Sequence, residues 1–388
     1  MRYPLTHTNW NKKEIAAMQS VIKSGMFTMG KNVKKFEENF SKYLKKKYSV
    51  MVNSGSSANL LAISSLFYKK KNPLKRGDEV IVTAVSWSTT YAPLQQLGLK
   101  LKLVDIELNT FNIDINLLKK AITKKTKLIV VVNLLGIPCD LNTIKKLCNK
   151  HKIILFEDNC ESMGALISNK KAGSFGKLSS HSFFFSHHMC TMEGGMISTD
   201  DFELYCILKS IRAHGWSRDL PKNNPLFKPK KNDFYEEYKF ILPGYNVRPG
   251  ELHGAIGNIQ LKKVKSFIKI RRQNLLLFNK LFEKNQNIII PNTKYQSSSF
   301  AFPIIVKNFN KLKKLKLFNN LKKANIDFRL ITGGCFTKHD YKKHFNYTVF
   351  KNLKNSLYLH NNGFFVGNAS KDLSKEIKKL SQVLNNTL

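Results

Sequence analysis

Four short stretches of this 388-residue chain carry side chains that could bind an anion or move a proton. The first, residues 53–59 (NSGSSAN), places Gly55 and Ser56 where a strand pattern gives way to a helix pattern. Backbone N–H groups at a helix start attract anions, so this stretch could hold a phosphate. The same residue types are common in plain turns and helix caps, and that reading stays open for the stretch taken alone.

The second stretch, residues 156–161 (FEDNCE), ends an apolar strand pattern in a cluster of carboxylates. Ligands of open α/β sheets bind outside the carboxyl ends of the strands, so Asp158 is well placed to contact one. A carboxylate there could be a metal ligand, a general base or the partner of a protonated ring nitrogen. A helix cap is the structural alternative.

The third stretch, residues 182–195 (SFFFSHHMCTMEGG), contains the adjacent pair His187 and His188. Neighbouring residues of a strand point to opposite faces, so the pair would make a poor two-ligand metal site. We expect one histidine to face a pocket and the other to face the protein. A core histidine is the alternative for either.

The fourth stretch, residues 243–251 (PGYNVRPGE), sets the amide of Asn246 and the guanidinium of Arg248 within a turn-rich segment. A domain junction would explain its prolines and glycines, but it does not explain the polar pair.

The elements that position these stretches follow from the hydrophobic pattern. Strands are predicted, in chain order, over residues 48–52, 79–84, 102–105, 128–133, 153–157 and 179–184, with helices over 59–67 and 141–150 between them. This alternation predicts βαβ units and a mostly parallel sheet. Beyond it we predict helices over 252–282, 311–324 and 373–384 and a strand over 299–306. We therefore expect a large domain of residues 1–249 and a smaller C-terminal α/β domain of residues 250–388.

Composition narrows the function classes. The formal net charge of +39 suggests an acidic partner, but the lysines are spread along the chain without a nucleic-acid-binding motif, which favours solvated faces over nucleic-acid binding. No apolar run approaches the roughly 20 residues of a membrane span, and no apolar signal segment opens the chain, so we expect a cytoplasmic protein without membrane partners. The six cysteines form no CxxC pair, which favours free thiols and no metal site.

In their order and spacing, the four stretches together resemble those of the sugar-nucleotide aminotransferases, which are pyridoxal-phosphate enzymes of fold type I. The resemblance extends from Tyr3 to about Asn368. It implies an aspartate-aminotransferase-like α/β fold, with a large mixed, mostly parallel sheet domain followed by a smaller one. It also implies pyridoxal 5'-phosphate or pyridoxamine 5'-phosphate as cofactor, and a homodimer with shared active sites.

One departure from that family is informative, because His187 stands where its members carry the lysine that binds the cofactor aldehyde. Imidazole cannot form that Schiff base. The same replacement is found in a small branch of the family, the pyridoxamine-phosphate-dependent 3-dehydratases of nucleotide-linked 4-keto-6-deoxy sugars. Residues 26–30, 242–249 and 360–368 are similar to that branch as well.

Two subtypes of the branch differ in their cofactors. One carries an iron–sulfur cluster on a group of cysteines, but here only Cys206 and Cys335 follow Cys190. The resemblance therefore favours the subtype without a cluster, which acts on GDP-4-keto-6-deoxymannose, uses L-glutamate to regenerate its cofactor and serves lipopolysaccharide O-antigen synthesis. A 4-aminotransferase that makes an amino sugar, and a non-catalytic relative, are the alternatives.

The resemblance also implies roles for single residues. His187 would be the catalytic base, for which an ordinary histidine pKa of about 6.5 is suitable, and His188 would support it. The implied cofactor-binding residues are Gly55, Ser56, Trp87, Asp158, Glu161, Ser182 and, from the second subunit, Asn246. The implied substrate-binding residues are His214, Arg218, Arg248 and Arg329. A buried core aromatic is the alternative for Trp87, and a surface salt bridge is the alternative for Arg218 and Arg329.

Overall fold

The computed structural model of the protein describes residues 2–228 and 234–388. No helix within these residues is long and apolar enough to cross a membrane.

The elements are numbered in chain order. The helices are α1 (Lys12–Ser24), α2 (Lys31–Leu44), α3 (Gly55–Ser65), α4 (Ser88–Gln96), α5 (Ile115–Ala121), α6 (Leu141–His151), α7 (Phe202–Arg212), α8 (Glu251–Phe282), α9 (Lys311–Lys323), α10 (Lys354–Asn362) and α11 (Ser374–Asn385). The strands are β1 (Tyr48–Val52), β2 (Glu79–Thr83), β3 (Lys100–Val104), β4 (Thr126–Val132), β5 (Ile154–Asp158), β6 (Leu166–Ile167), β7 (Lys170–Lys171), β8 (Leu178–Ser182), β9 (Gly195–Thr199), β10 (Ile288–Ile289), β11 (Ala301–Val306), β12 (Phe328–Arg329), β13 (Tyr347–Val349) and β14 (Gly363–Gly367).

The large sheet has the strand order β1-β9-β8-β5-β4-β2-β3-β13. The five pairings from β8 to β13 are parallel, and the two that involve β9 are antiparallel. The mostly parallel α/β sheet expected from the sequence is therefore confirmed. Strand β9 was not predicted, and the predicted strand over 179–184 ends earlier, at Ser182.

Side chains along the central strands alternate between two helical layers. In β4, Leu128 and Val130 pack into the core cluster that includes residues of α3 and α7, whereas Ile129 and Val131 pack into the cluster with α5 and α6. A strand that is buried on both faces reads as a continuous apolar run, which explains the sequence LIVVV of this strand. Because helices cover both faces of the sheet, the ends of these strands are the part of the sheet that can contact a ligand.

The smaller sheet, β10-β11-β14-β12, is antiparallel throughout. Its core cluster includes buried residues of α8, α9 and α11. The predicted helices of this region match closely, since α8 spans Glu251–Phe282 and α9 spans Lys311–Lys323. Strand β13 crosses back to the edge of the large sheet, where it pairs with β3. The domain boundary at residues 249 and 250 stays a prediction.

Candidate active site

A cavity of about 540 Å³ lies where β5 and β8 end and α3 begins. Eight of the side chains or backbone positions predicted from the sequence line it together, namely Gly55, Ser56, Trp87, Asp158, Glu161, Ser182, His187 and Arg329. No lysine is among the described residues that line this cavity. The carboxyl ends of parallel strands are the expected place for a ligand site.

The start of α3 forms one end of the cavity. Ser54 caps the helix by accepting a hydrogen bond from the Ser57 N–H at 3.1 Å, and the Ser56 hydroxyl contacts the hydroxyl of Thr89 at 3.0 Å. A Cβ atom on Gly55 would lie 2.5 Å from the Cβ of Ser182, so only glycine lets the helix start approach this serine so closely. The N–H groups of the first turn and the hydroxyls of Ser56 and Ser182 together suit an anion.

Asp158 ends β5 and is buried in the floor of the cavity. Its Oδ2 atom accepts hydrogen bonds from Asn59 Nδ2 at 2.9 Å and from Thr90 Oγ1 at 2.7 Å, and its Oδ1 atom accepts one from the Cys160 N–H at 3.2 Å. In the described part of the chain, no lysine or arginine forms an ion pair with it. A buried carboxylate held this way is suited to meet a cationic group of a ligand.

Sequence reasoning missed Asn59 and Thr90. Asn59 had a usable signal, because it is a polar residue at the start of the apolar helix sequence NLLAISSLF and lies four positions after Gly55. Thr90 had a weaker signal, which is its place in the hydroxyl-rich run after β2. Both side chains orient Asp158.

His187 is half-buried and lines the cavity. Its Nδ1 atom lies 2.8 Å from the carbonyl oxygen of Cys160. Because a carbonyl can only accept, Nδ1 must carry the proton, and the neutral ring then has its basic lone pair on Nε2.

The pKa of His187 is lowered to about 4, mainly by burial and with a smaller contribution from the Arg271 guanidinium, whereas the hydrogen bond to the Cys160 carbonyl and the charge of Asp158 oppose the shift. The expectation of an ordinary pKa near 6.5 is therefore wrong for the ligand-free protein. At neutral pH the ring is unprotonated, which is the state a base requires. Once protonated, it gives its proton up readily.

His188 has a different environment. It is fully buried, and its Nε2 atom lies 3.2 Å from the Ser298 carbonyl oxygen, while Nδ1 has no hydrogen-bond partner among the described residues. Burial, with Arg271 as the next cause, holds its pKa well below the usual value. The prediction that one histidine faces a pocket and the other faces the protein is confirmed. The reason given for it is wrong, because both residues lie in the bend after β8 rather than on a strand.

Glu161 lines the cavity beside Asp158. Its Oε2 atom accepts hydrogen bonds from the Leu135 N–H at 2.8 Å and from Thr332 Oγ1 at 3.3 Å. Burial, aided by the charge of Asp158, raises the pKa of Glu161 to about 7. Both partners have left-handed backbone, with φ of 49° at Leu135 and 33° at Thr332, and non-glycine residues in this region often mark functional sites.

Trp87 and Arg329 lie at the mouth of the cavity. Trp87 is 59% exposed, so the alternative of a buried core aromatic is wrong for it. Arg329 is exposed, and its Nη1 atom donates to the Phe328 carbonyl at 2.9 Å. No carboxylate among the described residues pairs with Arg329, so the salt-bridge alternative is wrong for it there.

The remaining predicted residues lie elsewhere. Arg218, Asn246 and Arg248 line a second concavity of about 420 Å³. There Arg248 Nε donates to Asn246 Oδ1 at 3.0 Å, and the Arg218 guanidinium lies 5.1 Å from the centre of the Trp216 ring. His214 is exposed and is not among the described residues that line either space. One copy of the chain does not bring these four residues to His187.

The described residues contain no group of three or more histidine, cysteine, aspartate or glutamate side chains that could hold a metal ion. All six cysteines are free.

Comparison with known proteins agrees with this geometry. The GDP-4-keto-6-deoxy-D-mannose 3-dehydratases of Yersinia pseudotuberculosis and Escherichia coli O55:H7 are 50% and 51% identical to the chain over 386 residues, covering 99% of it and 98% and 100% of their own lengths. The solved structure of the E. coli GDP-4-keto-6-deoxy-D-mannose-3-dehydratase with bound hydrated pyridoxal phosphate has a TM-score of 0.96 at 51% identity, covering 99% of both chains.

More distant relatives share the fold. An aminotransferase of Helicobacter pylori that is involved in the biosynthesis of pseudoaminic acid has a TM-score of 0.88 at 26% identity, covering 100% of this chain and 99% of its own. The fold expected from the sequence is that of these enzymes. Residues 9–375 match the family profile as well, so the chain belongs to the DegT/DnrJ/EryC1/StrS aminotransferase family.

Proposed function

We propose that the chain is a pyridoxamine-phosphate-dependent 3-dehydratase of GDP-4-keto-6-deoxymannose, with L-glutamate regenerating the cofactor. One observation carries this proposal. A cavity built to hold an anion and a cationic ring presents His187 as its base, and no lysine lines it among the described residues. An aminotransferase needs such a lysine to hold the aldehyde form of its cofactor.

Names of relatives support the same conclusion. The two relatives at 50% and 51% identity are both named as GDP-4-keto-6-deoxy-D-mannose 3-dehydratases. Solved structures of that enzyme carry hydrated pyridoxal phosphate, a geminal diamine of pyridoxal phosphate and glutamate, or GDP-perosamine. These ligands represent the cofactor, the proposed amine donor and a GDP-sugar.

The residues of the cavity fit the cofactor. The close approach of Gly55 to Ser182 makes a cradle that a Cβ atom would fill, and the first turn of α3 supplies N–H groups for the phosphate. At the other end, the buried and cation-free carboxylate of Asp158 would hold a proton on the ring nitrogen. Trp87, exposed at the mouth, would stack on the ring face.

When bound, pyridoxamine phosphate would supply an amine that condenses with the 4-keto group and a conjugated ring that takes up the electron pair left by proton removal and passes electrons toward C3 as the hydroxyl leaves. His187 removes the proton from the carbon next to that amine through Nε2, since Nδ1 is committed to Cys160. The protonated imidazole of His187 then delivers this proton to the hydroxyl that leaves C3, which departs as water. Glu161, with its pKa raised to about 7, can donate a hydrogen bond within the cavity when protonated.

The overall reaction is balanced without an external oxidant. The sugar loses the oxygen of its C3 hydroxyl, ammonia is released, and the cofactor changes from the amine to the aldehyde. Glutamate then becomes 2-oxoglutarate and restores the amine. Each turnover therefore consumes one glutamate and produces a 4-keto-3,6-dideoxy sugar.

We further propose that the enzyme is a cytoplasmic homodimer with shared active sites that serves lipopolysaccharide O-antigen synthesis. Asn246 and Arg248 line a concavity outside the His187 cavity, which supports their use by the cavity of a second copy. Arg218, His214 and Arg329 would join Arg248 in binding the nucleotide sugar. Six free cysteines are consistent with a reducing compartment. One relative, 29% identical, is a lipopolysaccharide biosynthesis protein of Salmonella typhimurium.

The proposal is tested by incubating the protein with pyridoxamine phosphate, L-glutamate and GDP-4-keto-6-deoxymannose. We expect ammonia and 2-oxoglutarate to form in equal amounts, while the sugar loses one oxygen atom by mass spectrometry. An amino sugar without ammonia release would instead establish the 4-aminotransferase. A sugar of unchanged mass, with no ammonia, would reject both activities.

A further inference from the structure

Behind the cavity, α8 carries a buried cation that the proposed reaction does not explain. Arg271 is 3% exposed, and no carboxylate pairs with it in the described ranges 2–228 and 234–388. An unpaired buried charge is costly, so a residue of this kind needs a specific reason to be there.

The partners of Arg271 are backbone carbonyls. Its Nη1 atom donates to the carbonyls of Ser299 at 3.3 Å, Phe300 at 2.9 Å and Asn368 at 3.0 Å, while the buried Nε atom has no hydrogen-bond partner in the part of the chain that the structure describes. Two of these carbonyls belong to the 297–300 segment, which leads into β11. The third belongs to the residue that follows β14.

The 297–300 segment is held in a costly backbone conformation. Ser299 has a φ of 46°, which is left-handed and unusual for a serine. Asn368 supports it from the other side, because its Nδ2 atom donates to Ser299 O at 3.1 Å and to Ser299 Oγ at 2.9 Å. Without Arg271 and Asn368, we expect this segment to relax.

The same segment contacts both histidines. The Ser298 carbonyl accepts from His188 Nε2, and the Phe300 ring packs against the rings of His187 and His188 at centroid distances of 5.1 and 5.9 Å. Phe300 also lines the cavity. The position of the His187 ring is therefore fixed from one side by Cys160 and from the other by the segment that Arg271 holds.

We propose that Arg271 is a positioning residue for the proposed dehydratase: it holds the 297–300 segment against the two histidines, so that His187 keeps Nε2 directed at the substrate. The inference rests on the proposed function for its kinetic consequence but not for its structural one. Its charge adds a second effect, because Arg271 lowers the pKa of His187, whereas Asp158 raises it. Cys160, Glu161, Glu193 and Arg329 are further titratable or charged groups that line the cavity, and His188 adjoins His187 in the chain.

The test compares Arg271→Met and Arg271→Lys with a matched control, Lys269→Met. Lys269 is an exposed cation of the same helix, two residues before Arg271, so its replacement removes one positive charge from α8 at a solvated position. For Arg271→Met we expect kcat to fall about 10- to 100-fold, the size typical of a misplaced catalytic group, with the KM for the sugar nearly unchanged. Arg271→Lys should recover part of the rate, and Lys269→Met should keep the wild-type rate.

A second readout does not depend on activity. In the cofactor-free protein with ¹³C-labelled imidazoles, the NMR signal of His187, identified by its loss in His187→Asn, should titrate at higher pH in Arg271→Met than in the wild type. The titration should be unchanged in Lys269→Met. A lower melting temperature combined with wild-type kcat and an unchanged His187 titration would overturn the proposal, since it would show a purely structural role.

Asn368→Ala covers the case in which Arg271→Met does not fold. It loosens the 297–300 segment and keeps the charge, so we expect a reduced kcat with little change in the His187 titration, and a wild-type kcat would contradict the positioning role. If the wild type itself does not dehydrate the sugar, the proposed function fails. The NMR comparison still decides whether Arg271 controls His187.

Discussion

The wall of the cavity around His187 and the surface around Arg248 differ in how their side chains are held. Asp158, Glu161 and His187 each have at least one hydrogen bond to a partner in the cavity wall, and burial shifts the pKa of Glu161 and of His187. Arg218 and Arg248 are exposed, and their contacts are with a neighbouring ring and a neighbouring amide.

This difference separates the two tasks of the proposed enzyme. Groups that move protons need fixed geometry and controlled pKa values, and strand ends and buried bonds provide both. Groups that bind a flexible, charged nucleotide sugar can stay solvated until the ligand and a second copy of the chain order them. If the two tasks are separate, substitutions in the cavity wall should change the reaction rate or the pKa values, and substitutions on the arginine surface should change only substrate binding.

The largest effect is expected for His187→Lys. A lysine with an ordinary pKa of about 10.4 is protonated at neutral pH, and it would also bind the aldehyde form of the cofactor covalently. Because general acid–base groups contribute about 10²- to 10⁴-fold, dehydration should fall by at least that factor. The measurement is the mass of the sugar product with time.

His151→Lys is the matched control, since it makes the same substitution at an exposed histidine in the last turn of α6. It should dehydrate at the wild-type rate. Borohydride reduction followed by peptide mapping should locate the cofactor on position 187 of the His187→Lys variant alone. Wild-type dehydration by His187→Lys would remove His187 from its proposed role.

A smaller effect is expected from Glu161, and it concerns stability. Its pKa is raised from an ordinary 4.5 to about 7, mainly by burial. Between these values the folded protein keeps a proton that the unfolded chain has lost, so this group makes the free energy of unfolding fall as pH rises through that range. The full shift would correspond to about 3 kcal/mol, and we expect about 1 to 2 kcal/mol because the carboxyl lines an open cavity.

Denaturation of cofactor-free Glu161→Gln between pH 4.5 and 7.5 tests this. The free energy of unfolding of the variant should increase relative to that of the wild type as pH rises. The histidines titrate in the same range with the opposite sign, but they are common to both proteins and cancel in the difference. The exposed Glu283, changed to Gln, is the control and should follow the wild type. A difference independent of pH would show that the pKa of Glu161 is the same in the folded and the unfolded protein.

The sequence predicted several residues of the cavity wall, but it did not predict the local backbone structure around His187. Asp158 ends an apolar strand, and Gly55 and Ser56 begin a helix, so local pattern placed these three near one sheet edge, whereas Ser182 fell inside the strand predicted over 179–184. Pattern alone did not reveal the bend that carries His187, because the strand ends at Ser182 and a run of aromatic residues follows.

The sequence could not reveal hydrogen-bond partners that are far apart in the chain, and the reason is physical. The contacts of His188 with Ser298 and of Glu161 with Thr332 join residues more than 100 positions apart, and no local periodicity encodes them. The lowered pKa of His187 likewise follows from burial and from Arg271 on a distant helix. The fold was predicted correctly because the βαβ order is visible in the hydrophobic patterns of consecutive segments of the chain.

The smallest effect is expected for Arg248→Ala. An exposed guanidinium that binds a diphosphate in water contributes about 1 to 2 kcal/mol, so the KM for the GDP-sugar should rise about 10-fold with kcat nearly unchanged. Arg76→Ala, which removes an exposed arginine just before β2, at the opposite edge of the sheet, is the control.

Co-expression of two variants tests whether an active site is shared between two copies of the chain or formed by one copy alone. If Arg248 serves the cavity of a second copy, co-expression of His187→Asn with Arg248→Glu should give mixed dimers in which one cavity has both an intact base and an intact arginine. Activity would then exceed that of either variant alone. If each copy uses its own Arg248, every cavity in the mixture carries one defect, and activity would not rise above that of the better variant.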